Sequence, residues 1–224
     1  MTQLIGIFGG SFDPVHQGHI EAVTQLDQNL REQKVILERI HWVLSARPPH
    51  KDQVAASIEH RFAMLQLALK KHPRYLADDC EIVRKKKSYT IDTVKQFQQD
   101  YPKAHLNLII GADSLENLHT WSCYEELISS VNLLVLNRPG YKCDVPEYLQ
   151  ERLLHCSAQL SKFKSGKLVL LTSSAFDISS TQIRRALAKS KLESTDKNLV
   201  NRFLDCSVLE YIRQHEMYKN IAQG

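Results

Sequence analysis

The sequence predicts an α/β fold: a doubly wound, mostly parallel sheet with helices on both faces, and a small C-terminal helical part at about residues 178–218. Two observations support this. Short apolar runs of strand length alternate with stretches whose apolar residues recur at helical spacing. Segments rich in glycine, proline or hydroxyl side chains follow several of the apolar runs, where parallel strands should end. We therefore expect a Rossmann-like architecture in one domain that covers residues 1–224.

The composition is that of an ordinary globular protein and narrows the possible partners. Of the 224 residues, 43% are hydrophobic and 24% are charged, and the formal net charge is +4. This mild charge, without a dense basic stripe, argues against a nucleic-acid partner. The five cysteines show no Cys-x-x-Cys spacing, which favours a reducing, cytoplasmic setting. No apolar run approaches the length of a membrane span and no basic leader precedes the first strand, so we predict neither a membrane partner nor a signal peptide.

The first half of the chain is predicted to alternate strands with helices. An apolar run from Leu4 leads into two adjacent glycines as the first strand. The helix after it carries Ile20, Val23 and Leu26 on one stripe. The further predictions are a strand at residues 39–44, a helix capped by Ser57 that runs to His72, a strand at residues 80–83 and a helix with Ile91, Val94 and Phe97 on one face.

The second half continues the alternation. Residues 105–110 are strongly apolar, as a central parallel strand should be. The other predictions are a helix opened by Trp121, a strand at residues 131–136 stopped by Arg138-Pro139-Gly140, a helical stretch at residues 147–160, a strand at residues 167–172, a helix from Gln182 and a final amphipathic helix at residues 207–218.

The most informative stretch is Gly9-Gly10-Ser11-Phe12-Asp13-Pro14-Val15-His16-Gln17-Gly18-His19, directly after the first strand. Glycine lets the backbone approach a ligand closely, and His16 and His19 lie three residues apart in a first helical turn. With the helix dipole, these features predict the binding of an anion, most simply a phosphate. A tight turn, helix-capping histidines and a zinc site are the alternatives, although no third zinc ligand lies at useful spacing.

Several other strand-end segments carry candidate site residues. Ser179, Ser180 and Thr181 before Arg184 resemble a second helix N-terminus with phosphate donors. Asp113 could receive sugar hydroxyls or cap a helix, and Trp121 could fill the core or offer a stacking surface. Lys51 could be a site residue or a solvated lysine, and the run Arg84-Lys85-Lys86-Lys87 is more often a solvated face than a site.

These residues carry a family resemblance. The stretch from Gly9 to His19 resembles the signature of the nucleotidyltransferase superfamily with the H-x-G-H motif. Ile178-Ser179-Ser180-Thr181-x-x-Arg184 is similar to the second signature of that superfamily. Within it, nearly the full length of the chain resembles bacterial nicotinate mononucleotide adenylyltransferases. The narrower resemblance rests on Pro48-Pro49-His50-Lys51, Ser88-Tyr89-Thr90-Ile91-Asp92-Thr93, Gly111-Ala112-Asp113-Ser114-Leu115, Thr120-Trp121 and Arg138-Pro139-Gly140. Two positions depart from the pattern, with Ser11 where threonine is commoner and Tyr124 where a second tryptophan is frequent.

The resemblance implies transfer of AMP from ATP to nicotinate mononucleotide, giving deamido-NAD and pyrophosphate by direct in-line attack. It implies Mg²⁺ on the ATP phosphates and allows a homodimer. His16 and His19 are then the catalytic residues, with His19 at the α-phosphate. The implied ATP-binding residues are Gly9, Gly10, Ser11, Phe12, His16, His19, Gly111, Asp113, Ile178, Ser179, Ser180, Thr181 and Arg184. The implied mononucleotide-binding residues are Lys51 at the phosphate, Trp121 stacked on the ring, and Ser88, Tyr89 and Thr90 at the carboxylate.

Two other functions stay open from the sequence. One is a different transferase of the superfamily, such as phosphopantetheine adenylyltransferase, although its substrate has no aromatic acid to occupy Tyr89, Thr90 and Trp121. The other is a nucleotide- or RNA-binding module that uses the basic run from Arg84 and the C-terminal helices. The histidine pair together with the second signature argues against a role in binding alone.

Overall fold

A six-stranded parallel sheet forms the centre of the computed structural model, which describes residues 3–47, 54–137, 143–172, 178–189 and 194–219. The strands are β1 (Leu4–Gly10), β2 (Arg39–Leu44), β3 (Tyr75–Asp78), β4 (His105–Gly111), β5 (Asn132–Asn137) and β6 (Leu168–Thr172). Their order across the sheet is β3-β2-β1-β4-β5-β6, and every neighbouring pair is parallel. The predicted doubly wound fold is confirmed. Because the chain winds outwards in both directions from β1 and β4, a crevice is expected where these two strands end.

Helices cover both faces of the sheet. They are α1 (Gln17–Glu32), α2 (Ile58–Leu69), α3 (Cys80–Arg84), α4 (Thr90–Asp100), α5 (Ala112–Glu116), α6 (Tyr124–Ser130), α7 (Ser180–Ala188), α8 (Ser194–Phe203) and α9 (Cys206–Gln214), with 3₁₀ helices at Leu118–Thr120, Glu147–Arg152 and Ser157–Lys162. One apolar core holds β-strand side chains such as Phe8 and Trp42 against α1, α2 and the C-terminal helices. The other holds Ile5 and Ile7 against α4, α5 and α6. Both faces of the sheet are therefore buried, as a parallel sheet requires. No helix in the described ranges is long and apolar enough to cross a membrane.

The third strand lies upstream of the predicted one. The sequence predicts a strand at residues 80–83, but these residues belong to helix α3. The Asp78 carboxylate accepts a hydrogen bond from the Cys80 N–H at 3.0 Å, which favours a helical start, and Lys85 ends the helix with a φ of 56°. Strand β3 pairs with β2 instead, with Tyr75 opposite Ile40. Tertiary pairing thus overrides local propensity here.

Other predicted boundaries also shift. Trp121 does not open a helix, because it follows a 3₁₀ turn and α6 begins at Tyr124. The stretch 147–160 is not one helix but two 3₁₀ helices separated at Leu153, which forms a bridge to Leu168 of β6. Helix α7 begins before Gln182, α8 was not predicted, and α9 ends before residue 218. The predicted stop at Arg138-Pro139-Gly140 lies outside the described residues.

Candidate active site

A cavity of about 310 Å³ opens at the carboxyl ends of β1 and β4, where a doubly wound sheet binds its ligands. It brings together eight predicted site residues: Gly9, Gly10, Ser11, Ser88, Tyr89, Thr90, Gly111 and Trp121. Gly9 and Gly10 end β1 and Ser11 follows it, Gly111 ends β4, and the other four come from the start of α4 and the loop before α6. The candidate residues for two different ligand halves therefore share one space.

His16 and His19 form a ring pair at the start of α1. Their ring centroids are 3.7 Å apart, and His19 Nδ1 accepts a hydrogen bond from the His16 N–H at 3.3 Å. Since Nδ1 is an acceptor, a neutral His19 ring carries its proton on Nε2. His16 is 5% exposed, and this burial lowers its pKa to about 4. His16 is thus a neutral imidazole at physiological pH, and it can offer a hydrogen bond but no positive charge.

Close packing explains the glycine of the H-x-G-H motif. A Cβ on Gly18 would lie 2.6 Å from the Ile178 Cγ2 and 3.0 Å from the His16 Nδ1. Any larger residue would push the second signature away from the first. At Gly9, by contrast, a Cβ would meet nothing within 4 Å, so the backbone there borders open space. This is the close backbone approach expected of a ligand-facing glycine.

Hydrogen bonds fasten the second signature to the loop after β1. The Ser180 hydroxyl donates to the Pro14 carbonyl at 2.9 Å, and the Arg184 Nη1 donates to the Asp13 carbonyl at 2.7 Å. Arg184 Nη2 also donates to the Thr181 hydroxyl at 3.2 Å, and Ser179 caps α7. These groups build the junction of the two signatures. The first N–H groups of α7, which have no carbonyl partner within the helix, remain suited to an anion.

Asp13 is a buried junction that sequence reasoning missed. It is 3% exposed, and its carboxylate accepts hydrogen bonds from the N–H groups of Ala55 and Ala56 at 2.7 and 3.2 Å and from the Tyr218 hydroxyl at 2.7 Å. Burial and the Asp13 charge raise the pKa of Tyr218 far above its usual value, so the phenol stays a donor. In the sequence, Asp13-Pro14 indicates only a turn, and nothing links it to Tyr218.

Arg61 is a second missed residue, and it braces the same region. It is 1% exposed and donates to four backbone carbonyls, of Ser11, Ser45, Ala46 and Ala56, at 2.9 to 3.2 Å. Burial lowers the pKa of this guanidinium, while the negative charge of Asp13 acts in the opposite direction. Arg61 thereby holds the ends of β1 and β2 in place. Arg61 gave no signal in the sequence because it lies within a helix and belongs to no motif.

The acceptor side of the cavity is anchored to the end of β2. Ser88 is buried, its N–H donates to the Arg47 carbonyl at 3.0 Å, and its hydroxyl accepts from the Arg47 N–H at 2.9 Å. Tyr89 caps α4 and Thr90 is its first residue. Trp121 is partly buried and lines the cavity, where its ring can offer a flat surface. Glu81, a buried residue that was not singled out in the sequence, also lines this wall.

The remaining predicted residues lie elsewhere. The Phe12 ring is 2% exposed and packs against Phe8, so it belongs to the core, and Phe12 is absent from the described lining of the cavity. Ile178 is 6% exposed and also packs inside. Asp113 is exposed on α5 and is absent from the described lining of the cavity. Lys51 lies outside the described residues.

Comparison with known proteins agrees with this geometry. A family model described as cytidylyltransferase-like matches residues 7–186. A protein of Salmonella typhimurium named nicotinate-nucleotide adenylyltransferase is 35% identical over 225 aligned residues, which cover 98% of this chain and 100% of the relative. The chain belongs to the cytidylyltransferase-like family, among the nicotinate-nucleotide adenylyltransferases. The family model spans both signatures, from β1 into α7.

A further relative supports the membership, and a solved structure supports the fold. A protein of Neisseria meningitidis named "Probable nicotinate-nucleotide adenylyltransferase" is 33% identical, with 96% of this chain and 98% of the relative covered. The structure of a Plasmodium falciparum nicotinic acid mononucleotide adenylyltransferase complexed with NaAD superposes with a TM-score of 0.72, covering 96% of this chain and 97% of that one. At 20% identity, that structure supports the fold of this cytidylyltransferase-like chain and nothing finer.

Proposed function

We propose that this chain transfers AMP from ATP to nicotinate mononucleotide, giving deamido-NAD and pyrophosphate. The observation that carries the proposal is the single cavity shared by the glycines of the first signature and by Ser88, Tyr89, Thr90 and Trp121. A reaction that joins two nucleotides needs both held in one space. The named activity of relatives that match the full length of the chain points the same way.

In the donor half, the chain supplies positioning and hydrogen bonds. The mononucleotide phosphate is already a nucleophile near neutral pH, so it attacks the α-phosphorus in line with departing pyrophosphate and needs no covalent enzyme intermediate. We assign His19, with neutral His16 behind it, to the α-phosphate, where charge develops in the transition state. The Gly9-Gly10-Ser11 backbone faces the nucleotide, and the N-terminus of α7 with Arg184 faces the outer phosphates.

We propose that Mg²⁺ reaches the site on the triphosphate. The described ranges contain no group of three His, Cys, Asp or Glu side chains that could hold a metal ion. Mg²⁺ prefers oxygen ligands and commonly binds through the phosphates of a substrate. Bound there, the ion would neutralise part of the phosphate charge. The residues assigned to this complex are neutral or cationic: His19, with neutral His16 behind it, and Arg184.

In the acceptor half, the N-terminus of α4 is suited to a carboxylate. Asp92 and Thr93 donate their N–H groups to the Tyr89 carbonyl, so the N–H groups of Thr90 and Ile91 are the helix donors without a carbonyl partner in α4. Two donors match a carboxylate better than an amide, which has one acceptor oxygen. We therefore propose a preference for the acid over nicotinamide mononucleotide, with Trp121 stacked on the ring.

One assay tests the proposed function. Purified protein is mixed with ATP and Mg²⁺ and with nicotinate mononucleotide, nicotinamide mononucleotide or phosphopantetheine, and release of pyrophosphate is followed. We expect the fastest release, together with deamido-NAD, from the acid mononucleotide. Faster release with phosphopantetheine would point to the other transferase class. If no acceptor gave pyrophosphate, the result would favour a nucleotide- or RNA-binding module.

Replacing Trp121 by alanine should weaken the acceptor half alone. A stacked ring is worth roughly 1–3 kcal/mol, so we expect the KM for nicotinate mononucleotide to rise about 10-fold or more, while the KM for ATP stays within about twofold. Trp121→Phe, which keeps a flat ring, should give an intermediate value. Steady-state kinetics with each substrate varied in turn measure both constants, and equal changes in the two KM values would contradict the stacking role.

A further inference from the structure

A buried hydrogen-bond network joins α3 to α4 beside the acceptor half of the cavity. The Thr93 hydroxyl donates to Glu81 Oε1 at 2.7 Å and accepts from Arg84 Nη2 at 2.8 Å. Arg84 Nη2 also lies 3.6 Å from Glu81 Oε1, as an ion pair. Thr93 is 2% exposed and Glu81 is 6% exposed, so water offers little competition. Among the described residues, Thr93 is the only hydrogen-bond donor to the Glu81 carboxylate.

The network joins the two ends of the segment that forms the acceptor half of the cavity. Arg84 ends α3, Lys85 turns the chain with a left-handed conformation, and Thr93 lies in the first turn of α4. The ends of residues 85–92 are thereby tied together. The middle of the segment is held separately, by the two hydrogen bonds between Ser88 and Arg47. Tyr89 and Thr90 lie between these two fixed points, at the wall of the cavity.

We infer that Glu81, Thr93 and Arg84 are positioning residues that aim the N-terminus of α4 at the acceptor. The inference rests on the proposed function and adds to it the groups that set the geometry of the acceptor half. A helix N-terminus selects an anion only while its first N–H groups keep their direction. Thr93 sets that direction because it fixes the first turn of α4 to α3 by one accepted and one donated hydrogen bond.

The charges of the network bear on acid selectivity. Glu81 lines the same cavity wall as Tyr89 and Thr90, so an unbalanced carboxylate there would repel a substrate that carries a carboxylate of its own. Hydrogen-bond donation from Thr93 and the nearby Arg84 charge offset the charge of Glu81. Loss of the Thr93 hydroxyl should therefore impair the acid substrate more than the amide.

The test compares Thr93→Val, which keeps the shape and removes the hydroxyl, with Thr93→Ser, which keeps the hydroxyl. For Thr93→Val we expect about a five- to tenfold rise in KM for nicotinate mononucleotide, an ATP KM within about twofold of wild type, and a smaller preference for acid over amide. For Thr93→Ser we expect all three values to stay close to those of the wild type. Thr24→Val serves as the matched control, since it removes a hydroxyl on α1 that shares a hydrogen bond with the Tyr75 hydroxyl of β3, outside the lining of this cavity, and it should change neither KM.

A second variant keeps the test decisive if Thr93→Val folds poorly. Arg84→Met leaves the Thr93–Glu81 hydrogen bond and removes the balancing charge, and it should also raise the KM of the acid mononucleotide selectively. Equal rises in the KM values for ATP and for nicotinate mononucleotide would overturn the positioning role. A lower melting temperature with unchanged KM values would also overturn it, because the network would then only stabilise the fold. The proposed function is judged separately, because it fails only if the wild-type protein makes no deamido-NAD.

Discussion

Replacing His19 by alanine is expected to lower kcat by about two to three orders of magnitude while the protein stays folded. The physical reason is that the His19 ring, oriented by the hydrogen bond from the His16 N–H and by edge contact with Phe12, holds a donor where phosphate charge develops. Such donors stabilise the transition state more than the bound substrate, so the loss should appear in kcat and in kcat/KM alike. Steady-state pyrophosphate release measures both.

The control for His19→Ala is His155→Ala, which removes an exposed histidine from the turn between two 3₁₀ helices and should leave kcat unchanged. Both variants should keep a melting temperature close to that of the wild type, because His19 is only partly buried. His19→Asn keeps a side-chain donor and should retain more activity than the alanine variant. A near-normal kcat for His19→Ala would remove His19 from the catalytic machinery.

The sequence predicted those parts of the fold that depend on local pattern. Apolar runs at strand length placed β1, β2, β4, β5 and β6 within a residue or two, because both faces of a parallel sheet are buried. The pattern failed at residues 80–83, where the predicted strand is a short helix and Tyr75–Asp78 pairs with β2 instead. Short runs of this kind carry too little periodicity to separate helix from strand.

The residues of the candidate site also divide into those that a local motif indicates and those that only the folded structure reveals. The glycines and the histidine pair stand in one compact motif whose residue types indicated a phosphate, whereas the acceptor role of the residues at the start of α4 came only from the family resemblance. Arg61 and Tyr218 act through contacts with residues distant in sequence, and Glu81 acts through Thr93 and Arg84 nearby, but no motif in the sequence indicates any of the three. Tyr218 meets Asp13 across 205 positions of the chain, a contact that only the packed C-terminal helices create.

The contacts of Asp13 explain how the site is held together. Removal of the Asp13 carboxylate should therefore greatly lower the stability of the fold. Asp13 ties the loop after β1 to the segment before α2 and to Tyr218, while Arg184 of the second signature lies 3.8 Å from its carboxylate. Its charge also faces the buried guanidinium of Arg61. Removing the carboxylate therefore leaves several buried donors without their acceptor and takes away a negative charge that favours the buried Arg61 cation, so the change should be strongly destabilising.

We expect Asp13→Ala to lower the free energy of unfolding by about 3–5 kcal/mol, measured by urea denaturation. Tyr218→Phe removes only one of the donors, and because that hydrogen bond involves a charged group it should cost about 1.5–3 kcal/mol. Asp100→Ala is the matched control, since Asp100 is exposed at the end of α4 and should stay within about 0.5 kcal/mol of wild type. If Asp13→Ala were as stable as Asp100→Ala, the junction would not stabilise the fold. A normal Tyr218→Phe beside a destabilised Asp13→Ala would instead assign the effect to the N–H groups before α2 and to Arg61.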